Sequence, residues 1–441
     1  MDTSDLAIVQ LGGGANMATV QFALHNGRWG TASDLADAVF TLAAPFAATG
    51  AAAVFVIRMP LLSDIERSYG PVAFNKVTGA LFGAVQQFAG SKFSSDEYVV
   101  ASTSQSEEVV VIVIRPRGKG DFYSHELPQI TRDLTEYIEG QSSRIVYPFG
   151  TELAGFVAGH AVTIHNPCLR ADRQLLNALE NARMDAELSA QLRKREIGQL
   201  FLGLVLGEQV HCLYQPIVEI QSGGIYGYEA LVRGPRSAKW QSPSMLFRIA
   251  EEHGLAFELD CLCRQAALKG FSANLRPEHK LFLNCLPSAI HDPSFSEKHL
   301  RQTLESGGLK PSDLVLEVSE RESIRNFSIF RDIRERYRSL GIKVALDDTG
   351  AGYAGLEAVM QLAPDFIKVD ISLVRSVDRD LGRRVLLQAL RDISEVIGAQ
   401  VIAEGIETER ELETLCKMGI PFGQGHLLGR PSRLGESPVL A

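Results

Sequence analysis

Six stretches in the C-terminal half of the chain, YGYEALVRG, KLFLNCLP, LVLEVSE, KVALDDTG, FIKVD and QVIAEGIE, each end a short apolar run in acidic or amide residues. They deliver Glu229, Asn284, Glu317, Asp347, Asp348, Lys368, Asp370, Glu404 and Glu407. Carboxylate and amide oxygens gathered in one place make a site for hard divalent cations. A lone acid at a strand end is ordinarily a helix cap or a surface charge. Capping does not account for acids or amides at six strand ends together with a lysine.

These residues can act together only if the fold brings them together. Each run reads as a β-strand, and helical stretches separate the runs. The alternation predicts an α/β architecture, a parallel (β/α) TIM-like barrel. All the strand C-termini of such a barrel open onto one face, so carboxylates scattered through the sequence converge there.

The chain has 441 residues, enough for two or three domains. Its formal net charge of -9 argues against binding a nucleic-acid polymer, which calls for a basic face. A small anionic ligand is compatible with it, held locally by metal ions and a few arginines. No apolar run is long enough to span a bilayer, and the first residues lack the basic and apolar regions of a signal peptide, so the expected location is the cytoplasm. The segment from Ala43 to Ile57 is broken by Pro45 and Gly50 and reads as a helix end followed by a core strand. Six cysteines are scattered without a metal or disulfide pattern. The pair Cys261 and Cys263, two apart on an amphipathic helix, points in different directions.

Residues 1–27 read as a flexible leader. Residues 28–170 carry an α+β pattern: a helix, the strand AAAVFVIRM, a second helix, a hairpin of EYVVAST with EEVVVIVI, another helix, and the strand FVAGHAVTI. Residues 171–194 belong to a helix that continues to about Gln209 and joins this region to the barrel, assigned to residues 195–441.

Residues 195–434 resemble an EAL-type cyclic di-GMP phosphodiesterase domain. The naming motif stands as Glu229-Ala230-Leu231-Val232-Arg233, preceded by Tyr214-Gln215-Pro216-Ile217-Val218. Asn284, Glu317-Val-Ser-Glu320, Asp347-Asp348-Thr-Gly, Lys368-Val-Asp370, Glu404-Gly-Ile-Glu407 and Gln424-Gly-His follow in the family's order. The resemblance implies hydrolysis of cyclic di-GMP to linear pGpG at a two-metal site with Mg²⁺ or Mn²⁺. Such chemistry needs an activated water, a neutralised phosphoryl group and a stabilised leaving oxygen, which two metals about 3.5–4 Å apart supply.

By that resemblance Glu229, Asn284, Glu317 and Asp347 hold one ion, and Asp347 with Asp348 the second. Lys368 orients water or offsets phosphate charge, and Glu404 is either the general base or a second-metal ligand. Gln215, Arg233, Gln424 and Asp370 bear on the substrate; Glu320 and Glu407 brace the ligands. A non-catalytic cyclic di-GMP receptor is the alternative. One departure from the family's active-site loop matters: Thr349 stands where an aromatic is usual.

The N-terminal half resembles a GGDEF domain that has lost its chemistry. The resemblance rests on the order of elements and on IERSYGPVAFNKVTGAL. Arg58 stands where the first metal-binding aspartate is expected, and Glu66-Arg67 where an Asn-Asp pair is expected. The signature turn is either Gln105–Val109 or Ser94–Tyr98, and neither carries the glycine pair that lets backbone approach a triphosphate. The expectation is a regulatory unit without cyclase activity, able to hold GTP or only to support a homodimer.

Overall fold

The computed structural model describes residues 20–24, 28–32, 35–94, 97–102, 107–149, 155–235, 240–272, 279–320, 323, 327–350 and 356–434. Residues 1–19, Gln105, Ser106, Ser95, Asp96 and residues 351–355 lie outside the described residues. The chain divides into two compact units, residues 1–196 and 197–441.

The first unit is built on an antiparallel sheet of β1 (Val20–Leu24), β2 (Arg28–Ala32), β3 (Ala51–Arg58), β4 (Tyr98–Ser102), β5 (Glu108–Ile114) and β6 (Val157–Ile164), in the order β2-β1-β4-β5-β3-β6. Strands β3 to β6, with helices Pro71–Lys92 and Leu127–Gly140 between them, trace a split βαββαβ unit. The run AAAVFVIR in β3 is apolar on both faces because both are covered. Ala53, Phe55 and Ile57 pack in the core with those two helices, while Ala52, Val54 and Val56 meet helix Leu35–Thr49 and the start of the long helix Ala171–Leu206.

Two boundaries differ from the sequence reading. Val20–Leu24, assigned to the leader, pairs with Arg28–Ala32 and touches β4 at Gln21 and Phe22. Residues 171–194, assigned to a linker, begin in the core of the first unit: Leu175, Ala178, Leu179 and Ala182 are buried against its sheet. The apolar face at that spacing was the sign of a docked helix. Its docking is tight at Gly159 of β6, where a Cβ would stand 2.1 Å from the Ala186 backbone nitrogen. Arg183 of the helix pairs with buried Glu108, and the His160 N–H donates to Asp185 Oδ2 at 2.8 Å.

The second unit is a closed eight-stranded barrel: β7 (His211–Glu219), β8 (Ile225–Arg233), β9 (Lys280–Asn284), β10 (Leu314–Ser319), β11 (Lys343–Thr349), β12 (Phe366–Val369), β13 (Gln400–Ala403) and β14 (Phe422–Gly423). From β8 round to β14 every pairing is parallel, but β7 is antiparallel to both β8 and β14. The expected all-parallel barrel is therefore corrected at one strand. The reason is local: only residues 220–224, with Gly223 at φ +69°, connect β7 to β8. A link this short closes a hairpin, whereas a parallel crossover needs a dozen residues or more.

Inside the barrel the strand period of two sorts the residues into layers. Ile217, Phe282, Val315, Ala345, Phe366, Ile402 and Phe422 form one buried apolar layer. Two residues along each strand, on the same side, stand Gln215, Asn284, Glu317, Asp347, Lys368, Glu404 and Gln424. Because β7 is reversed, its polar residue precedes its apolar one. Glu229 of β8 joins the polar layer through its register partner Gln215.

Candidate active site

Lys368 is the hub of the polar layer. It is buried and lies within ion-pair distance of four carboxylates: Glu404 at 2.8 Å, Glu317 at 2.9 Å, Asp347 at 3.1 Å and Glu229 at 3.3 Å. Burial would lower its pKa, but the four acids outweigh that and hold it well above its ordinary value. The ammonium is a built-in counter-ion.

One lysine does not neutralise the acids around it. Burial, reinforced by the Glu229 carboxylate, holds Glu317 well above the usual carboxylate range despite Lys368. Glu404 is pushed up to about 8, chiefly by burial, with Lys368 opposing and Asp347 adding to the rise. Asp348 is raised by burial and by adjacent Asp347. Glu229 behaves differently: burial raises it, but Lys368 and the Gln424 and Asn284 amides outweigh burial, and the net shift is downward.

The amides orient this carboxylate. Asn284 Nδ2 donates to Glu229 Oε1 at 3.0 Å, and Gln424 Nε2 donates to Glu229 Oε2 at 2.7 Å and to Gln215 Oε1 at 3.1 Å. Gln215 Nε2 in turn donates to the Gly429 carbonyl at 3.0 Å. Both glutamines thus brace the floor of the site.

The donor set suits hard cations. Ligand oxygens of Asp347, Asp348 and Glu404 lie within 4.8 Å of one another. Glu317 Oε2 is buried without a hydrogen-bond donor among the described residues, and Glu317 Oε1 and Asp347 Oδ1, also buried, share the one Lys368 ammonium with two further acids. Carboxylate oxygens in that condition, with acids in excess of the one lysine, are what divalent cations satisfy. Asp348 sits at φ +58°, a strained turn for a residue with a side chain, which lets two successive aspartates address one place.

Other residues singled out in the sequence have different surroundings. Glu320 Oε2 accepts the Gly350 N–H at 3.1 Å and so holds the turn after Asp348. Gly350, at φ +100°, packs where a Cβ would strike Leu373. Thr349 is buried and its carbonyl accepts the Asp370 N–H at 3.1 Å. Asp370 caps a short helix through the Ser372 N–H at 2.8 Å. Arg233 donates to the Val232 carbonyl at 2.8 Å, with no ion pair to the acid layer among the described residues. Glu407, expected to brace a ligand, instead pairs at the surface with Arg375 at 3.2 Å.

The residue that braces this corner is Glu411. Its carboxylate accepts the N–H groups of Ser376, Glu407 and Thr408, so it stitches the loop after Glu404 to the loop after Lys368. Sequence reasoning missed it, although Thr408-Glu-Arg-Glu411 is a capping box and was legible as one.

The profile of the EAL domain family matches residues 202–431, just over half of the chain and nearly all of the barrel unit. Cyclic di-GMP phosphodiesterase NbdA of Pseudomonas aeruginosa is 30% identical over 264 residues, 59% of this chain and 32% of that protein. An uncharacterised signalling protein of Caulobacter vibrioides is 30% identical over 221 residues, 50% of this chain and 27% of that protein. The chain therefore spans about a third of the length of these curated relatives. Among solved structures, the EAL enzyme Bd1971 bound to cAMP and cyclic di-GMP superposes with a TM-score of 0.50 at 23% identity, covering 64% of this chain and 81% of that one. The EAL domain of Xanthomonas citri FimX in complex with cyclic di-GMP gives 0.50 at 20% identity, covering 57% and 97%. At those identities the superpositions speak for the barrel alone. The profile match is what decides the matter, and by it this chain belongs to the EAL domain family.

Proposed function

We propose that the chain hydrolyses cyclic di-GMP to linear pGpG with Mg²⁺ or Mn²⁺. The observation that carries the reading is the ring of carboxylates around Lys368, whose acids outnumber their one buried counter-ion. Glu229, Asn284, Glu317 and Asp347 would hold one ion, and Asp347 with Asp348 the second. Bound there, the ions supply charge neutralisation and an acidified water.

The side chains supply the rest. Lys368, fixed by four carboxylates, offers a cation for a non-bridging phosphate oxygen or for the attacking water. With the ions bound and its carboxyl ionised, Glu404 would take the proton as the water oxygen adds to phosphorus, and the bond to the 3′ oxygen breaks as that oxygen takes up a proton from solvent. Arg233, uncommitted to the acid layer, is free to meet the second phosphate with its guanidinium fork. Relatives named as cyclic di-GMP phosphodiesterases support the choice of substrate.

The N-terminal unit is read as a GGDEF-derived regulator that makes no cyclic di-GMP, within a homodimer. Its βαββαβ order supports the likeness. Arg58, which ends β3 in register with Glu108, is a cation where a metal ligand would be needed.

One experiment tests both readings: purified chain with cyclic di-GMP and Mg²⁺ or Mn²⁺, followed by nucleotide chromatography, with a parallel arm in GTP. Linear pGpG should form, disappear with excess chelator, and fall by at least about a hundredfold in Glu229→Ala, which deletes a carboxylate of the cluster. Tight binding without turnover would make the protein a receptor. The GTP arm of a Glu404→Ala variant should give no cyclic di-GMP, and its appearance would restore the cyclase.

A further inference from the structure

A second buried ionic group lies outside the polar layer. On helix Ala256–Ser272, Asp260 and Arg264 stand one turn apart, exposed by only 2% and 1%. Arg264 pairs with Asp260 and, through Nη2, with Asp292 at 2.7 Å, and its guanidinium lies 4.6 Å from the Phe295 ring centroid.

This group grips the backbone that leaves β9. Asp260 Oδ1 accepts the Leu286 N–H at 3.2 Å, two residues after Asn284. The intervening N–H, of Cys285, donates to the Glu317 carbonyl at 2.9 Å. Past Leu286 the chain runs through the short turns Pro287–His291 and Pro293–Phe295, and Asp292 and Phe295 bring it back to Arg264. The segment after Asn284 is therefore tied near both ends to one guanidinium.

Stability is a poor account of this arrangement, because a buried ion group is often no more stable than apolar side chains of similar volume. Apolar side chains, however, could not accept the Leu286 N–H or fix the direction in which the chain leaves Asn284. We propose that Asp260, held by Arg264, is a positioning residue for the metal site, fixing the backbone at Leu286 so that Asn284 presents its amide to the acid layer. The proposal rests on reading that layer as a divalent-cation site.

Mn²⁺ alone, titrated calorimetrically into the full chain without nucleotide, tests it. Asp260→Ala should weaken Mn²⁺ binding about tenfold, while Asp260→Asn, which keeps an oxygen for the Leu286 N–H, should stay within about twofold. A purely structural role would lower the melting temperature of Asp260→Ala and leave the affinity of the folded protein alone; that result overturns the proposal. Should Asp260→Ala fail to fold, amide exchange in the unmutated chain decides. Coupling is reciprocal, so Mn²⁺ must slow exchange at Leu286, and unchanged exchange there overturns the proposal. An unmutated chain that binds no Mn²⁺ overturns the reading of the acid layer itself, and this role with it.

Discussion

Lys368 sets the energetics of the site as much as its chemistry. A buried ammonium among four carboxylates is costly to lose, because breaking a buried ion pair from one side costs about 3–5 kcal/mol. Lys368→Met should therefore lower the melting temperature in chelator and abolish hydrolysis. Added Mn²⁺ should recover part of the lost stability, since it supplies the missing positive charge and binds only the folded state. Thermal melts with and without Mn²⁺ check this. A variant as stable as the unmutated chain, or one that Mn²⁺ does not stabilise, would show that the acids are not held as the structure has them.

Among the elements, the loops after β12 and β13 depend on Glu411. Burial raises its pKa, but the Ser376, Glu407 and Thr408 N–H donors outweigh it and hold the group below its ordinary 4.5. A carboxyl depressed in the folded state adds stability above its unfolded pKa and loses it as pH falls through the folded value. Urea midpoints measured from pH 6 down to pH 3 should therefore fall less steeply in Glu411→Gln than in the unmutated chain. Equal slopes would remove Glu411 from the account.

The strands themselves were largely legible. The repeated spacing of an apolar residue followed two later by a polar one, as in Phe282 and Asn284 or Phe366 and Lys368, is what a barrel strand with a layered interior must show. The reversal of β7 was less visible, because QPIVEI has the same alternation in either direction and only the short link to β8 betrays it. Glu407 was misplaced for a related reason. Beyond the end of β13 the period of two no longer governs, and a loop acid can turn to Arg375 as easily as to the site.

At the scale of the whole molecule, the unit boundary falls within one helix. Residues up to Ala186 belong to the N-terminal sheet, whereas Phe201 and Leu204 are buried with Leu246, Ile249 and Leu259 of the barrel unit. A fragment of residues 193–441 keeps that second set and should fold on its own. It should differ from the full chain in kcat, KM or oligomeric state by light scattering. Identity in all three, with and without GTP, would make the N-terminal half a passive appendage. Gly159→Leu should loosen the helix from its sheet and move the full chain's kinetics toward those of the fragment.

The reversed β7 decides where the polypeptide is threaded into the barrel. In an all-parallel barrel the first strand starts at the closed, apolar end, far from the chemistry. Here the thread arrives at the open mouth: His211 lies opposite Arg233, and Gln215 opposite Glu229. Only residues 207–210 separate the long helix from His211. A pull on that leash is thus felt first by the floor of the pocket, through Gln215 and Gln424. Two residues inserted after Gly207 should slacken it and alter kcat with little change in melting temperature; unaltered kinetics would show that the leash carries no load.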